Sequence, residues 1–231
     1  MEKMNIKELN MNFKILHEDD HIIVCYKPAG IPTQTAKLGT PDMVSLLKNH
    51  LKGGYVAVIH RLDQPVEGVL VFAKTPAAAK ELNKQLQSDD FGKYYKAVLW
   101  GIPEKNEATL EDYLVKDGKT NTSRVCQPTE KDAKKAILSY EVEETGKDFD
   151  RDVALVNVKL GTGRHHQIRV QMANMGCPIW GDSKYNTVMI QDRRFRHLAL
   201  CAYRLEFVHP KTKKKMEFEI MPEGEGFKLL Q

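Results

Sequence analysis

The stretch HRLDQPVEGVLVFAKTP, residues 60–76, carries three structural instructions in succession. Asp63, Gln64 and Pro65 read as a turn, because an aspartate side chain closes such turns and proline pre-sets its own φ. GVLVFAK, residues 68–74, is an apolar run of β type. Thr75 and Pro76 then look like the N-cap and first position of a helix, with Leu82 and Leu86 marking its buried face. Working outward, β-type runs recur at 21–26, 94–100, 136–143, 153–160, 198–208 and 215–221, and HPKTKK at 209–214 makes the last two a hairpin. Two more helices are expected. One opens at Thr40 and Pro41, shows Met43, Leu46, Leu47 and Leu51 on one face, and ends at Gly53 and Gly54. The other runs from about His166 to Met175, with Ile168, Met172 and Met175 on one side and Gly176 and Pro178 as its stop. Strands outnumber helices and do not alternate with them regularly. The pattern predicts an α+β fold with a mixed, mainly antiparallel central sheet and flanking helices, as a single domain over residues 1–231. The polar stretch from Glu104 to Ala133 is expected to be an exposed arm or insertion.

Bulk properties exclude several classes. With 42% hydrophobic and 29% charged residues the chain is of ordinary globular composition. The opening MEKMNIKELNMNF lacks an apolar core of signal-peptide length, and no run approaches the roughly 18 apolar residues of a spanning helix. No membrane association and a cytoplasmic address are the expectations. Cys25, Cys126, Cys177 and Cys201 form no CxxC pair, which fits reduced thiols better than disulfides or zinc, so no metal is expected. A net charge of +4 is mild, but its distribution is not even. Lys131, Lys134 and Lys135, then Arg193, Arg194 and Arg196, then Lys211, Lys213, Lys214 and Lys215 form clusters of the kind a polyanion binder carries. Each cluster taken alone reads equally well as solvated lysines and arginines on turns.

Chemistry concentrates in two places. A carboxylate facing a cleft stays ionised only if a cation offsets its desolvation, and Arg61 is the local candidate for Asp63. The turn at Asp63 leaves room for a second cation, which GTGRHHQIRV, residues 161–170, supplies. There Gly161 and Gly163 free the backbone at a helix entry, and Arg164 and Arg169 converge on the positive end of that helix. His165 and His166 point about 100° apart on a helix, which does not suit a shared metal ion.

These residues carry a resemblance. HRLD at 60–63 with a glycine five residues after the aspartate, FAKT at 72–75, KYYKAVLWG at 93–101, and TGRHHQIRV with GCPIWGDSKY between 162 and 185 are similar to the RluA-type RNA pseudouridine synthases. YKPAGIP at 26–32 and LEFVHPKT at 205–212 are similar to that family's first and last blocks. The resemblance covers essentially the whole chain. It implies the pseudouridine synthase fold with a catalytic cleft, and isomerisation of uridine in RNA to pseudouridine without cofactor or metal. It further implies that Asp63 is the catalytic aspartate, Tyr95 the tyrosine of the KxYxA block and Arg169 the arginine ending HQIR, with Arg61 helping to displace the target base. The implied partner is a ribosomal or transfer RNA stem-loop, acted on by a monomer. Two departures stand beside these motifs: Val66 and Glu67 precede Gly68 where the family commonly reads TSG, and His165 stands where threonine is frequent.

The reaction explains the residue types. It breaks the bond from ribose to base nitrogen, turns the uracil and rejoins it through carbon. It therefore needs one ionised carboxylate, to attack the sugar or take a sugar proton, and one group to receive the final proton from the base. A phenol such as Tyr95 offers a stacking face and a polar tip together, while Tyr94 is expected to be an ordinary core or edge aromatic. His60, Arg164 and Lys27 are further candidates for substrate binding, each with a plainer alternative. His60 reads as a satisfied structural histidine, Arg164 as a shaper of the helix entry, Lys27 as a lysine that borders the pocket or snorkels past it. Two rivals to the isomerase are weighed. A noncatalytic RNA-binding protein of the same fold has no need of Asp63, Tyr95 and Arg169 together. A glycosidase needs two carboxylates flanking the bond, and these blocks hold no evident partner for Asp63.

Overall fold

The computed structural model describes residues 13–37, 39–88, 90–191 and 197–230. Its strands are β1 (Lys14–Glu18), β2 (Ile22–Lys27), β3 (Ala57–Val58), β4 (Glu67–Ala73), β5 (Gly92–Trp100), β6 (Glu107–Asp117), β7 (Thr122–Cys126), β8 (Lys134–Asp148), β9 (Arg151–Leu160), β10 (Leu200–Val208) and β11 (Lys215–Glu219). They form one sheet in the order β1-β2-β4-β10-β5-β9-β8-β6-β7, with β11 on β10 and β3 on β4. Every pairing among them is antiparallel except β10 with β4. The mixed, mainly antiparallel α+β sheet expected from the sequence is present.

The apolar run at 68–74 is buried on both faces of the sheet, and two helices explain why. On one face Val69 and Val71, with Ile22 and Val24 of β2, pack against Ala78, Ala79 and Leu82 of α2 (Pro76–Gln85). On the other, Leu70 and Phe72, with Ile23 and Cys25, join the main core with Met43 and Leu47 of α1 (Met43–His50). Truncating a fully buried leucine such as Leu82 to alanine costs about 2–5 kcal/mol in such a setting. Gly68 sits where β4 passes β10. Its φ is +143°, and a Cβ there would lie 2.5 Å from the Ala202 side chain and carbonyl oxygen, so the parallel pair closes only around glycine.

The helix starts divide. Thr75 caps α2 as expected, its hydroxyl accepting the Ala78 N–H at 3.1 Å, with Pro76 at the first position. The expected start of α1 at Thr40 is corrected to Asp42, which shares a capping box with Ser45: Asp42 Oδ1 accepts the Ser45 N–H at 2.7 Å and Ser45 Oγ accepts the Asp42 N–H at 3.0 Å. Asp42 Oδ2 also accepts the Thr35 N–H at 2.7 Å, which Thr40 is not placed to do. Helix α3 (Gln167–Asn174) follows His166, whose φ of 54° is left-handed, and stops at Gly176. A short helix α4 spans Thr187–Gln191.

The exposed arm or insertion expected at 104–133 is mostly exposed, as expected, but it is built into the edge of the sheet. It holds β6 and β7, and β6 pairs with β8 from Glu107 opposite Glu141 to Leu114 opposite Lys134. Leu114 is buried against Val170 of α3, so the hairpin leans on the helix whose entry carries the arginines. No helix among the described residues is long and apolar enough to cross a membrane. Cys25, Cys177 and Cys201 are buried free thiols and Cys126 is half-buried and free.

Candidate active site

Asp63 lies in the loop before β4, and the segment 27–33 braces that loop. Thr33 Oγ1 donates to the Leu62 carbonyl at 2.9 Å and accepts the Leu62 N–H at 3.1 Å. Gly30 N–H donates to the Gln64 carbonyl at 2.8 Å, and Gln64 Nε2 returns a bond to the Gly30 carbonyl at 2.9 Å. Lys27 neither borders a pocket nor snorkels. It is fully buried, and its Nζ donates to the carbonyls of Ile31 (2.6 Å), Pro28 (3.0 Å) and Gln64 (3.2 Å). Burial pushes its pKa down to about 7, opposed by the nearby Asp63 and Glu67 carboxylates. One ammonium N–H for each carbonyl makes Lys27 a peg that fixes the turn carrying Asp63.

From the far side comes α3. Arg169 is buried, but its main partner is not Asp63. Its Nε and Nη2 grip both oxygens of Asp182 at 2.8 and 2.7 Å, while Nη1 stands 3.9 Å from Asp63 Oδ2. The second cation that the sequence expects from GTGRHHQIRV is present near Asp63, but it serves Asp182 first. Asp182 is fully enclosed and also accepts the backbone N–H groups of Lys184 and Tyr185. Asp63 keeps 35% of its side chain exposed. Burial of the rest raises its pKa above the ordinary carboxylate value, with Arg169, Lys27, Arg61 and Lys184 pulling the other way. The net is an aspartate that gives up its proton less readily than usual, because the surrounding cations do not fully offset its desolvation.

Tyr95 points from β5 into this same space. It is buried, and both burial and the Asp63 charge push its phenol pKa up, so it stays protonated through the neutral range. Tyr94 faces the opposite side of the sheet, between the Lys159 and Arg204 cations, and bonds Glu206 at 3.2 Å. Arg61 is exposed beside Asp63 and makes no hydrogen bond or ion pair among the described residues. Arg164 is exposed too, yet its Nε donates to the Lys135 carbonyl at 2.8 Å, so it both shapes the helix entry and presents charge. His60 departs from the satisfied histidine expected. Both ring nitrogens are buried without a partner among the described residues, the ring packs edge-on to Phe91 at 5.4 Å, and burial lowers its pKa to about 3.

The basic clusters separate. Lys135 lies beside Arg164, though its ammonium is paired with Glu111 at 2.8 Å. Lys211 to Lys215 sit at the β10–β11 turn, where Lys213 pairs with Glu81 and His209 bonds Asp19. Asp19 precedes β2, at the opposite end of the β2–β4 pair from Asp63, so this cluster is not part of the cleft. Arg193, Arg194 and Arg196 lie outside the described residues.

Four neighbours of the cleft were given no catalytic or substrate-binding role from the sequence: Asp182, His166, which was weighed only as a metal ligand, Tyr185 and Ser123. His166 Nε2 stands 3.5 Å from Asp63 Oδ2, and its Nδ1 is 2.7 Å from the Tyr185 hydroxyl. That hydroxyl accepts the Ser123 N–H at 2.8 Å. The Arg169 guanidinium lies 5.1 Å over the Tyr185 ring. Three of the four fall within the HHQIR and GDSKY blocks, so the signal was present as motif and absent as chemistry. Of the two departures, His165 stacks on His166 at 3.8 Å. Glu67 turns inward to accept the Tyr26 hydroxyl at 2.7 Å and the N–H groups of Glu223 and Gly224, tying the C-terminal segment to β4.

Comparison with known proteins gives this geometry a context. The family model described as RNA pseudouridylate synthase matches residues 21–174, which include Asp63, Tyr95 and Arg169. A protein of Aquifex aeolicus (strain VF5) named an uncharacterized RNA pseudouridine synthase is 31% identical over 243 residues, covering 98% of this chain and 74% of that protein. The dual-specificity RNA pseudouridine synthase RluA of Escherichia coli (strain K12) is 34% identical over 206 residues, 89% of this chain and 91% of its own length. Among solved structures, Human RNA Pseudouridylate Synthase Domain Containing 1 is similar with a TM-score of 0.78 at 22% identity, over 92% of this chain and 84% of that one. That last likeness bears on the fold alone.

Proposed function

The chain belongs to the RNA pseudouridylate synthase family and isomerises uridine in RNA to pseudouridine, and on that premise we propose how its residues divide the work. Asp63 acts on the ribose, either attacking the sugar or taking a sugar proton. Arg169 holds its charge in place, and Tyr95 stacks on the base and relays the proton that the new carbon bond releases. The observation that carries this division is the contrast at Arg169: Asp182 takes two hydrogen bonds from the guanidinium, while Asp63, 3.9 Å away and partly open to solvent, keeps lone pairs for a substrate. The same contrast disfavours a glycosidase, because the nearby second carboxylate is fully occupied and cannot flank a glycosidic bond.

A stacked or paired uridine is out of reach of such a cleft, so the base is flipped into it at a cost of a few kcal/mol. Arg61, exposed beside Asp63, fills the vacated space, and Arg164 contacts phosphate. The proposed substrate is a uridine in a ribosomal or transfer RNA stem-loop, acted on in the cytoplasm by a single-domain monomer. A loop shared between two RNAs suits the dual specificity in the name of the Escherichia coli relative. The isomerisation has no redox step and no activated donor, so neither cofactor nor metal is called for.

Asp63→Asn tests the assignment, because the amide keeps size and shape but can neither attack the ribose nor take its proton. Pseudouridine formation on total RNA falls to background while RNA affinity holds. Substantial isomerisation by a verified, undeamidated Asp63→Asn protein overturns the assignment, and release of free uracil by the unaltered enzyme would favour hydrolysis instead. Mapping pseudouridine in cells with and without the protein identifies the target uridine.

A further inference from the structure

We infer that His166 is a positioning residue for the isomerisation: held as the Nε2–H tautomer by the Tyr185 hydroxyl, it aims the Asp63 carboxylate through Oδ2 and leaves Oδ1 to the ribose. The inference rests on the assignment of Asp63 above and adds three groups to it.

The tautomer follows from hydrogen-bond arithmetic. The Tyr185 oxygen accepts the Ser123 N–H at 2.8 Å. Ser123 lies on β7, the last strand of the sheet, where an outward N–H finds no further strand. The phenol has one hydrogen to donate, and His166 Nδ1 lies 2.7 Å away. With that bond made, Nδ1 is the acceptor and Nε2 carries the ring hydrogen, on the ring nitrogen that stands 3.5 Å from Asp63 Oδ2. The other neutral tautomer loses twice: the Tyr185 hydrogen has no acceptor, and a bare Nε2 lone pair faces a carboxylate. The imidazolium also leaves that hydroxyl hydrogen stranded, and it is further opposed by burial, by Arg169 and by the stacked His165.

The ring has little freedom to do otherwise. His165 stacks on one side of it, and His165 Nδ1 is held at 2.9 Å by Ser123 Oγ. Tyr185 is pinned beneath Arg169. Both groups that reach Asp63 from this side, His166 Nε2 at 3.5 Å and Arg169 Nη1 at 3.9 Å, lie nearest Oδ2, which favours one rotation of the carboxylate over the other. At 3.5 Å the His166 contact is longer than an ordinary hydrogen bond, and catalytic contacts of this kind tighten when substrate is bound. The edge hairpin β6–β7 thereby takes part in aiming a carboxylate on a loop far from it in sequence.

The test compares His166→Leu, His166→Gln and Tyr185→Phe with the unaltered enzyme and with Asp63→Asn. Misplacing a reacting group by about an ångström costs roughly 10²-fold, so His166→Leu is expected to lower kcat by about that factor with KM for RNA unchanged. Glutamine places an amide donor near the Nε2 position and is expected to recover most of the loss. Tyr185→Phe leaves Nδ1 without its donor, with an intermediate loss. Long-range ¹H–¹⁵N correlation of histidine-labelled protein at neutral pH reads the tautomer directly: Nε2–H in the unaltered protein, a mixture in Tyr185→Phe. Full activity of a folded His166→Leu protein, or an Nδ1–H or doubly protonated His166 in the unaltered enzyme, overturns the inference. If His166→Leu does not fold, the tautomer and the Tyr185→Phe kinetics still decide it. If Asp63→Asn isomerises uridine, the assignment of Asp63 fails first. If only that variant is silent while His166→Leu stays fully active, the positioning role alone is lost.

Discussion

The turn that carries Asp63 and the turn that carries Asp182 meet at one guanidinium and are built on opposite terms. Asp182 is sealed in and takes two hydrogen bonds from Arg169 and two from backbone amides. Asp63 is approached by cations from several sides, yet none of them bonds it at short range, and it stays partly exposed with a raised pKa. One carboxylate has its charge fully compensated and serves the fold. The other is under-compensated, and the loop beneath it is held by pegs that do not touch the carboxylate. A reactive charge needs spare lone pairs, and the protein supplies rigidity to Asp63 through the backbone, by Lys27 and Thr33, rather than by saturating the side chain.

The largest expected effect breaks the Asp182 side of this contrast. Asp182→Asn or Arg169→Ala leaves a buried charge without its partner, and losing one member of such a pair costs about 3–5 kcal/mol of stability. Both variants are expected to melt well below the unaltered protein and to be inactive. Asp63→Asn should be equally inactive yet as stable or more so. The sign follows from the raised native pKa: between the unfolded value and the native one the folded state holds more protons, so ionising Asp63 removes stability as pH rises, and the neutral amide avoids that loss. Thermal melts of the three variants at neutral pH separate the two roles. Equal destabilisation by Asp63→Asn would erase the distinction.

Lys27→Met probes the brace. The side chain is close in volume, but the Pro28 and Ile31 carbonyls lose a donor while that of Gln64 keeps the Gly30 N–H, and a buried acceptor left unmatched costs about 1–3 kcal/mol before any relaxation. A stability loss smaller than that of Asp182→Asn, with a lowered kcat, is expected in denaturant titration and turnover assays. Unchanged kcat in a folded Lys27→Met protein would show that the loop holds Asp63 without its peg.

The pH profile sharpens the contrast without altering the chain. In its proposed role Asp63 acts as the carboxylate, and its pKa lies above the ordinary aspartate value of about 3.9. The acid limb of kcat/KM should therefore fall at a higher pH than an unperturbed aspartate dictates, since the active form is lost sooner as pH drops. An acid limb at or below the ordinary value would mean that Arg169, Lys27 and Arg61 outweigh burial after all.

How much of this was legible in the chain depends on the range of each partner. The turn at Asp63, the Thr75 cap and the stop of α3 are decided by neighbours within a few residues, and all were read correctly. The cap of α1 was misread because Thr40 and Asp42 are equally good local candidates, and the Thr35 N–H that favours Asp42 is recruited only when the loop folds back. The hairpin β6–β7 was taken for an arm because its outward positions are charged, and the alternation that half-buries Ala108 and Leu110 and buries Leu114 is thin in apolar residues. GTGRHHQIRV reads as the source of a second cation for Asp63 because HRLD holds the conspicuous carboxylate. The better-placed Asp182 lay within a quoted block, but nothing local distinguishes a buried bidentate partner from a turn aspartate.

Arg61 gives the smallest expected effect and the most diagnostic one. It stands on the open side of Asp63 without a hydrogen bond or ion pair among the described residues, so Arg61→Ala should change stability by no more than about 0.5 kcal/mol. Its proposed task is to occupy the stack that the flipped uridine vacates. Opening the stack costs a few kcal/mol in structured RNA and least when the base is already free. Turnover on a folded stem-loop should thus fall about tenfold, a loss of about 1.4 kcal/mol from the transition state. An unstructured oligonucleotide of the same sequence should lose only a few-fold. Arg61 also helps hold the Asp63 charge, so a rival role is electrostatic. That role makes the loss equal on the two RNAs, lets Arg61→Lys restore it, and moves the acid limb of the pH profile upward in Arg61→Ala. A wedge predicts unequal losses, poor rescue by lysine's narrower side chain, and an acid limb that shifts little.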